Sequence, residues 1–159
     1  MMIELQHMNR SHKDTLRNLF ELYTYDFSEY MNAEVDDHGR YSVNYSDQYL
    51  MDESYSTFLV LIDGRTAGFA VVKADHHETF SISQFFIMRK YRRTGAGKLV
   101  ATKLFDQYRG NWRVAQIAKN LPAQAFWRKV IAEYTKSNYT ERYQQDRIWS
   151  GPVQEFNNR

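Results

Sequence analysis

The sequence predicts a mixed α/β fold in which helices cover one sheet. Short apolar runs bounded by turn residues indicate strands, and longer stretches with apolar residues every three to four positions indicate amphipathic helices. These stretches follow one another in the order β-α-β-β-β-α-β-α-β-β. A length of 159 residues suits one domain with a sizeable core. We therefore predict a single domain over residues 1–159.

The N-terminal part predicts a short strand and an amphipathic helix. The strand covers residues 2–8, and the helix covers residues 12–30 with Ser11 as its N-cap. Residues 31–56 are polar and mixed, which predicts a loop with room for a short helix. Two interpretations of this loop stay open: a lid or binding loop, or a variable surface connection. The helical stripe consists of Leu16, Leu19, Phe20, Tyr23, Phe27 and Tyr30.

Three strands joined by two turns follow. The apolar runs 58–62 and 68–72 flank Asp63-Gly64-Arg65, a hairpin signal. A second turn at 75–78 leads into a strand over residues 79–88.

The strand 79–88 has an internal irregularity. Its odd positions change midway from Ser81 and Ser83 to Phe85 and Ile87. A β-bulge or a splay of the strand would explain the change and would leave backbone N–H and C=O groups free for a ligand. The alternative is a strand that enters a region covered on both faces.

The C-terminal half predicts two helices and three strands. The first helix covers residues 95–109, and the second begins at Pro122. A strand over residues 112–117 lies between them. The tail, residues 138–156, predicts two strands that Gly151-Pro152 separates.

Composition limits the classes of partner. The net charge is only +2, and the basic cluster Arg89–Arg93 is one turn long, so we expect no nucleic-acid partner. The chain has no Cys, which excludes disulfides, thiolate catalysis and Cys-ligated zinc and fits a reducing compartment such as the cytoplasm. No apolar run approaches the ~20 residues of a membrane span. We expect a cytoplasmic protein with no membrane partner and no metal.

A glycine turn between a strand and a helix is the most informative motif. It lies in the segment MRKYRRTGAGKLVATKLF, residues 88–105. A P-loop is excluded because Arg92 stands where the first Gly belongs and Leu99 stands where Ser or Thr belongs. A dinucleotide site is excluded because Gly95-Ala96-Gly97 lacks the third Gly. Backbone amides at such a turn still favour phosphate.

Two motifs at this turn and beyond it resemble those of one superfamily. Arg92-x-x-Gly95-x-Gly97 resembles the acetyl-CoA motif of the GNAT N-acetyltransferases, and Asn120-x-x-Ala123-x-x-Phe126-Trp127 resembles their second signature. The resemblance implies a mixed, mostly antiparallel sheet of about seven strands with about four helices. It also implies acetyl-CoA as co-substrate and direct attack by a primary amine of a small molecule or peptide.

The resemblance also implies where acetyl-CoA binds. Amides of residues 93–98 would hydrogen-bond the pyrophosphate, and the pantetheine arm would pair with the strand edge at residues 86–89. Amides near Ile87 and Met88 would form an oxyanion hole. The expected cofactor-binding residues are Phe86, Ile87, Met88, Arg89, Arg92, Arg93, Thr94, Gly95, Ala96, Gly97, Lys98, Asn120, Phe126 and Trp127.

The second signature departs from the family at its last residue. Many members carry a proton-donating Tyr where this chain has Trp127, and an indole N–H is not an acid. Trp127 would instead pack against the cofactor or in the core. Tyr134, Tyr139 and Tyr143 stay open as proton donors, as does a reaction without a dedicated acid.

The proton acceptor and the amine pocket stay open as well. Gln84 cannot take a proton but could orient a water, and Asp26 is a better proton acceptor. Glu21, Tyr23, Tyr25 and Asp26 on the first helix are candidate acceptor-binding residues. A non-catalytic acyl-CoA-binding or sensing module is the alternative function, and a monomer and a homodimer are both compatible with the sequence.

Overall fold

A computed structural model describes residues 1–159 and contains seven strands and four helices, with short 3-10 turns between some of them. The strands are β1 (Ile3–His7), β2 (Tyr55–Ile62), β3 (Arg65–Asp75), β4 (Thr79–Ile87), β5 (Asn111–Ala115), β6 (Thr140–Gln145) and β7 (Ser150–Asn157). The helices are α1 (Lys13–Phe27), α2 (Gln48–Met51), α3 (Ala96–Gln107) and α4 (Leu121–Thr135).

All seven strands form one sheet in the order β1-β2-β3-β4-β5-β7-β6. Every neighbouring pair is antiparallel except β4 and β5, which are parallel. The parallel pair needs the long crossover through α3, whereas the antiparallel pairs β2–β3 and β6–β7 are joined by short turns. This confirms the predicted element order and the mostly antiparallel sheet.

The sheet has a hydrophobic core on each face. On one face, α1 and α2 cover the side chains of Leu59, Phe69 and Phe86. On the other face, α3 and α4 cover a larger cluster that includes Val60 and Ile87. Strands β2 and β3 supply residues to both clusters, which explains why their sequences are continuously apolar.

The N-terminal helix differs from the prediction at both ends. Ser11 is not its N-cap: Asn9 accepts a hydrogen bond from the Ser11 amide at 2.9 Å and caps a 3-10 turn that precedes α1. The helix ends at Phe27, so Tyr30 lies in the turn that follows it. The other predicted elements differ from the observed ones by only a few residues at their ends, as is usual for helix and strand boundaries.

The prediction that Gly151-Pro152 separates the last two strands was wrong. Both residues lie inside β7, and the strands are joined by a turn in which Asp146 accepts the amide hydrogen of Trp149 at 2.7 Å. The Gln116 amide donates to the Pro152 carbonyl at 3.1 Å, but Pro152 has no N–H to donate back. The proline therefore stands directly after the last regular β5–β7 pair, Ala115 with Val153.

Candidate active site

A gap opens between β4 and β5 at the centre of the sheet. The two strands pair only where Thr79–Ser81 lies beside Asn111–Arg113. Residues 82–87 of β4 continue without a partner on this side, although they stay paired with β3 on the other. The second half of β4 is therefore an edge in the middle of a sheet.

A β-bulge at Ser83 lies where the two strands separate. Val71 pairs with Gln84 and Val72 pairs with Ile82, so Ser83 is the extra residue. The bulge shifts the alternation by one position, and both Ile82 and Phe85 consequently pack toward the α3–α4 core. Of the explanations that the sequence left open, the structure supports the β-bulge, which accounts for the change of face in the sequence.

The backbone hydrogen bonds decide which groups face the gap. The Met88 amide donates to the Ala67 carbonyl at 2.8 Å, so the Met88 amide is engaged within the sheet. Because the two sides of a strand alternate, the backbone groups of Phe85 and Ile87 point into the gap. Of the two expected oxyanion donors, Ile87 remains, and Phe85 offers a second N–H on the same edge.

The glycine turn leads directly from this edge into α3. Gly95 is the N-cap of α3 with φ of 87°, a left-handed conformation that favours glycine, and a Cβ there would meet nothing within 4 Å. The Thr94 hydroxyl accepts the Ala96 amide at 3.3 Å. The amides of Gly97 and Lys98 follow in the first turn of α3. They have no carbonyl partner within the helix, because that partner would lie four residues earlier, before the helix begins. The turn thus presents amides and open space to an anion.

The cations at the turn are used in different ways. Asp26 on α1 pairs with Arg92 at 2.5 Å and with Arg89 at 3.1 Å. Burial opposes ionisation of Asp26, but the hydrogen bonds and charges of the two arginines outweigh it and lower the pKa of the carboxyl. Lys98 pairs with Glu133 of α4 at 2.5 Å. Arg93 is exposed and forms no ion pair, so its charge is available to a ligand.

Three side chains form a hydrogen-bonded chain on the α1–α2 side of the bulge, here called the Gln84 network. The Tyr23 hydroxyl donates to Gln84 Oε1 at 2.7 Å, and Gln84 Nε2 donates to the Tyr49 hydroxyl at 3.0 Å. Burial raises the pKa of both phenols. Sequence reasoning missed Tyr49, because α2 is a single turn inside the polar segment 31–56.

The second motif has a packing role in this structure. Asn120 caps α4 by accepting the Ala123 amide hydrogen at 3.1 Å. A Cβ on Gly97 would lie 2.9 Å from the ring of Phe126, so Gly97 lets α3 approach α4. Trp127 is only 6% exposed and packs edge-on against Phe85 with ring centroids 4.8 Å apart. Of the two interpretations of Trp127, the structure supports a place in the core.

Residues 15–131 match the model of the acetyltransferase (GNAT) family. The chain belongs to the GNAT acetyltransferase family. The matched range runs from α1 into α4 and includes the β4–β5 gap and the glycine turn. No protein with a curated description matches the sequence.

Solved acetyltransferase structures share the fold at low sequence identity. An acetyltransferase from Thermus thermophilus is 14% identical with a TM-score of 0.72, covering 99% of this chain and 97% of that one. RimL, a ribosomal L7/L12 α-N-protein acetyltransferase in complex with coenzyme A, is 12% identical with a TM-score of 0.70, covering 99% and 95%. The aminoglycoside acetyltransferase AAC(6')-Ib in complex with coenzyme A and kanamycin is 14% identical with a TM-score of 0.68, covering 98% and 95%.

The other residues that the GNAT resemblance implied lie in varied surroundings. Glu21 accepts the Tyr41 amide hydrogen at 3.1 Å, and Tyr25 is 67% exposed. The Tyr134 hydroxyl donates to Asp106 at 2.7 Å, so its contacts are with the end of α3 rather than with β4. No helix of this chain is long and apolar enough to cross a bilayer.

Proposed function

We propose that this protein is an N-acetyltransferase that moves the acetyl group of acetyl-CoA to a primary amine of a small molecule or peptide. The observation that carries the proposal is the continuity of the unpaired β4 edge with the glycine turn. Residues 85–98 offer strand-like pairing at one end and a phosphate-binding helix start at the other. Coenzyme A has an amide-bearing arm joined to a pyrophosphate, and this segment fits both in the right order.

The residues of this segment suit the parts of coenzyme A. The amides of Gly97 and Lys98, with the exposed cation of Arg93, suit the pyrophosphate. The backbone groups of Phe85 and Ile87 suit the amides of the pantetheine arm and the acetyl carbonyl. The Ile87 carbonyl already accepts a hydrogen bond from Arg92 at 2.9 Å. The Ile87 N–H, which points into the gap, would be the donor to the acetyl oxygen.

Similar structures support the same function. Two of them were solved with coenzyme A, one being an α-N-protein acetyltransferase and the other carrying kanamycin as well. Both acceptor classes present amines, in agreement with a primary amine acceptor for this chain. The acceptor would attack the acetyl carbonyl directly from the α1–α2 side of β4, where the Tyr23 hydroxyl donates to Gln84.

A non-catalytic acyl-CoA-binding or sensing module is the second candidate. The observation that favours it is the burial of Trp127, at the position where many members carry a proton-donating Tyr. Such a module would bind acetyl-CoA and release no thiol with any amine.

Acetyl-CoA binding is tested by thermal shift on a matched pair of variants. Gly95 and Gly64 both have left-handed backbones, with φ of 87° and 78°, and open space around them. Gly95→Leu and Gly64→Leu therefore carry similar backbone strain, but only the first blocks the glycine turn. We expect acetyl-CoA to raise the melting temperature of the wild type and of Gly64→Leu but not of Gly95→Leu.

Catalysis is tested separately by thiol release with a panel of amines. Release above the hydrolysis background with any amine supports the transferase. Acetyl-CoA binding without release from any amine would favour the sensing module, and no thermal shift at millimolar acetyl-CoA would contradict both functions.

A further inference from the structure

Gly68 on β3 lies directly behind the peptide bond whose N–H is the proposed donor to the acetyl oxygen. It is buried and pairs with Ile87 of β4. A Cβ at position 68 would overlap the carbonyl oxygen of Phe86, and it would lie 2.9 Å from the Phe86 carbonyl carbon and 3.1 Å from Ile87 Cα. All three atoms belong to the peptide unit that joins Phe86 to Ile87. A side chain at position 68 would therefore displace that unit.

The contact with Gly68 bears on the donor because a peptide unit is planar and trans. Its C=O and N–H point in opposite directions, so the Phe86 carbonyl faces β3 while the Ile87 N–H faces the gap. The unit moves as one rigid body, and a push on the carbonyl from β3 consequently moves the N–H as well. An oxyanion donor works only within a narrow range of distances, about 2.7–3.1 Å, so a small displacement weakens it.

The following peptide unit, between Ile87 and Met88, is held at both ends. Its N–H donates to the Ala67 carbonyl at 2.8 Å, and its C=O accepts from Arg92 Nε at 2.9 Å. Ala67 is the extra residue of a bulge in β3, directly before Gly68. Because this unit is fixed, the strain of a side chain at position 68 would be taken up by the Phe86–Ile87 unit next to it.

Building on the proposed function, we propose that Gly68 and Arg92 are positioning residues for the oxyanion donor. Gly68 lets the Phe86–Ile87 unit lie back against β3, and Arg92 fixes the carbonyl of Ile87, so that together they set the place of the Ile87 N–H in the gap. Both act through the backbone and neither contacts the acetyl group. This gives a reason for a glycine inside a strand, where it otherwise weakens pairing.

The variant Gly68→Ala has a matched control in Gly110→Ala. Gly110 is buried too, and a Cβ there would overlap the carbonyl oxygen of Glu78, beside the paired segment of β4 and β5. Both variants thus press a methyl group against a backbone carbonyl, but only Gly68→Ala does so behind the gap. A third variant, Arg92→Lys, keeps the positive charge and removes the Nε donor to Ile87, and it decides the case where Gly68→Ala does not fold.

The measurement is the infrared stretching frequency of acetyl-CoA that is isotopically labelled at its thioester carbonyl and bound to the full chain. A hydrogen bond from the Ile87 N–H polarises this carbonyl and lowers its frequency. We expect the wild type and Gly110→Ala to share one frequency, and Gly68→Ala and Arg92→Lys to absorb at higher frequency. The experiment needs no acceptor, and a purely structural role of Gly68 would not move the band.

The turnover rate is the second readout, with any amine that releases thiol. Loss of one oxyanion donor lowers kcat by about 10²–10³, so its displacement in Gly68→Ala should lower kcat by about tenfold or more. The KM for acetyl-CoA should stay nearly the same in this variant, because the pyrophosphate binds at the glycine turn. Gly110→Ala should keep the wild-type kcat.

The outcomes separate this inference from the proposed function. An unshifted carbonyl band in Gly68→Ala or in Arg92→Lys, once the variant is folded and binds acetyl-CoA, would overturn the inference and leave the transferase intact. An equal loss of kcat in Gly68→Ala and Gly110→Ala would also overturn it. A wild type that shows no band of bound acetyl-CoA would overturn the inference together with the proposed function.

Discussion

Arg92 holds Asp26 through a short ion pair, with 2.5 Å between Nη2 and Oδ2. The same guanidinium donates from Nε to the Ile87 carbonyl at 2.9 Å. One side chain thus connects α1 to the end of β4, directly before the glycine turn. Asp26 also pairs with Arg89, so a single carboxylate joins the first helix to two of the three arginines of this segment.

Removing the charge of Asp26 should weaken the attachment of α1 to β4. Asp26→Asn leaves two arginines without their carboxylate, and the Asp26 side chain is only 20% exposed. We expect the free energy of unfolding at pH 7 to fall by about 1 kcal/mol, near the upper end for ion pairs that water reaches. Urea denaturation measures the change. Asp75→Asn is the control, because Asp75 is half exposed and lies 3.9 Å from Lys73; equal losses in the two variants would contradict the prediction.

The same ion pair should make part of the stability depend on acid pH. Burial would raise the pKa of Asp26, but Arg92 and Arg89 lower it in the folded protein. A carboxyl group with a lowered folded pKa contributes fully above about pH 5 and loses its contribution as the pH falls below about 4. The difference in unfolding free energy between wild type and Asp26→Asn should therefore shrink from pH 7 to pH 3. Urea titrations at both pH values that gave the same difference would argue against this role.

The parts of the site that the sequence predicts are those made by neighbouring residues. The glycine turn can be predicted from the spacing of neighbouring residues. The bulge at Ser83 is visible in the sequence as a change of apolar face within one strand. The pairing of Arg92 with Asp26 spans 66 positions, and the hydrogen bond from Gln84 to Tyr49 spans 35. Such contacts depend on how helices pack on the sheet, which no local pattern records.

The strand boundary at Gly151-Pro152 was mispredicted for a related reason. Proline disrupts a strand only where a neighbouring strand needs its N–H. Here the Gln116 amide still donates to the Pro152 carbonyl at 3.1 Å and the Ala118 amide donates to the Ser150 carbonyl at 2.9 Å, so pairing continues past the one bond that Pro152 cannot donate. The proline therefore removes a single hydrogen bond rather than ending the strand, which depends on how the neighbouring segment lies beside it.

Gly97→Ala should be destabilising through contact with α4. The added Cβ would lie 2.9 Å and 3.0 Å from two ring atoms of Phe126, too close unless the ring moves. Overpacking of this kind costs about 1–3 kcal/mol, and the better helix propensity of Ala offsets up to about 1 kcal/mol. We expect a net loss of about 1 kcal/mol in urea denaturation. A double-mutant cycle with Phe126→Leu is the check, because the cost of Gly97→Ala should become smaller when the ring is absent.

Substitutions of Trp127 test whether this position, where many family members carry a proton-donating Tyr, can act as a proton donor in this chain. The indole is 6% exposed and packs against Phe85 and Phe105, so a phenol at this place would enter the core rather than a solvated site. We expect Trp127→Tyr and Trp127→Phe each to lower the free energy of unfolding by about 1–3 kcal/mol, because both leave space that the larger indole fills. Since neither side chain reaches the reacting atoms from the core, the two variants should release thiol at equal rates at every pH. A faster Trp127→Tyr variant, with a rate that falls as a phenol ionises, would show instead that this position faces the coenzyme A sulfur.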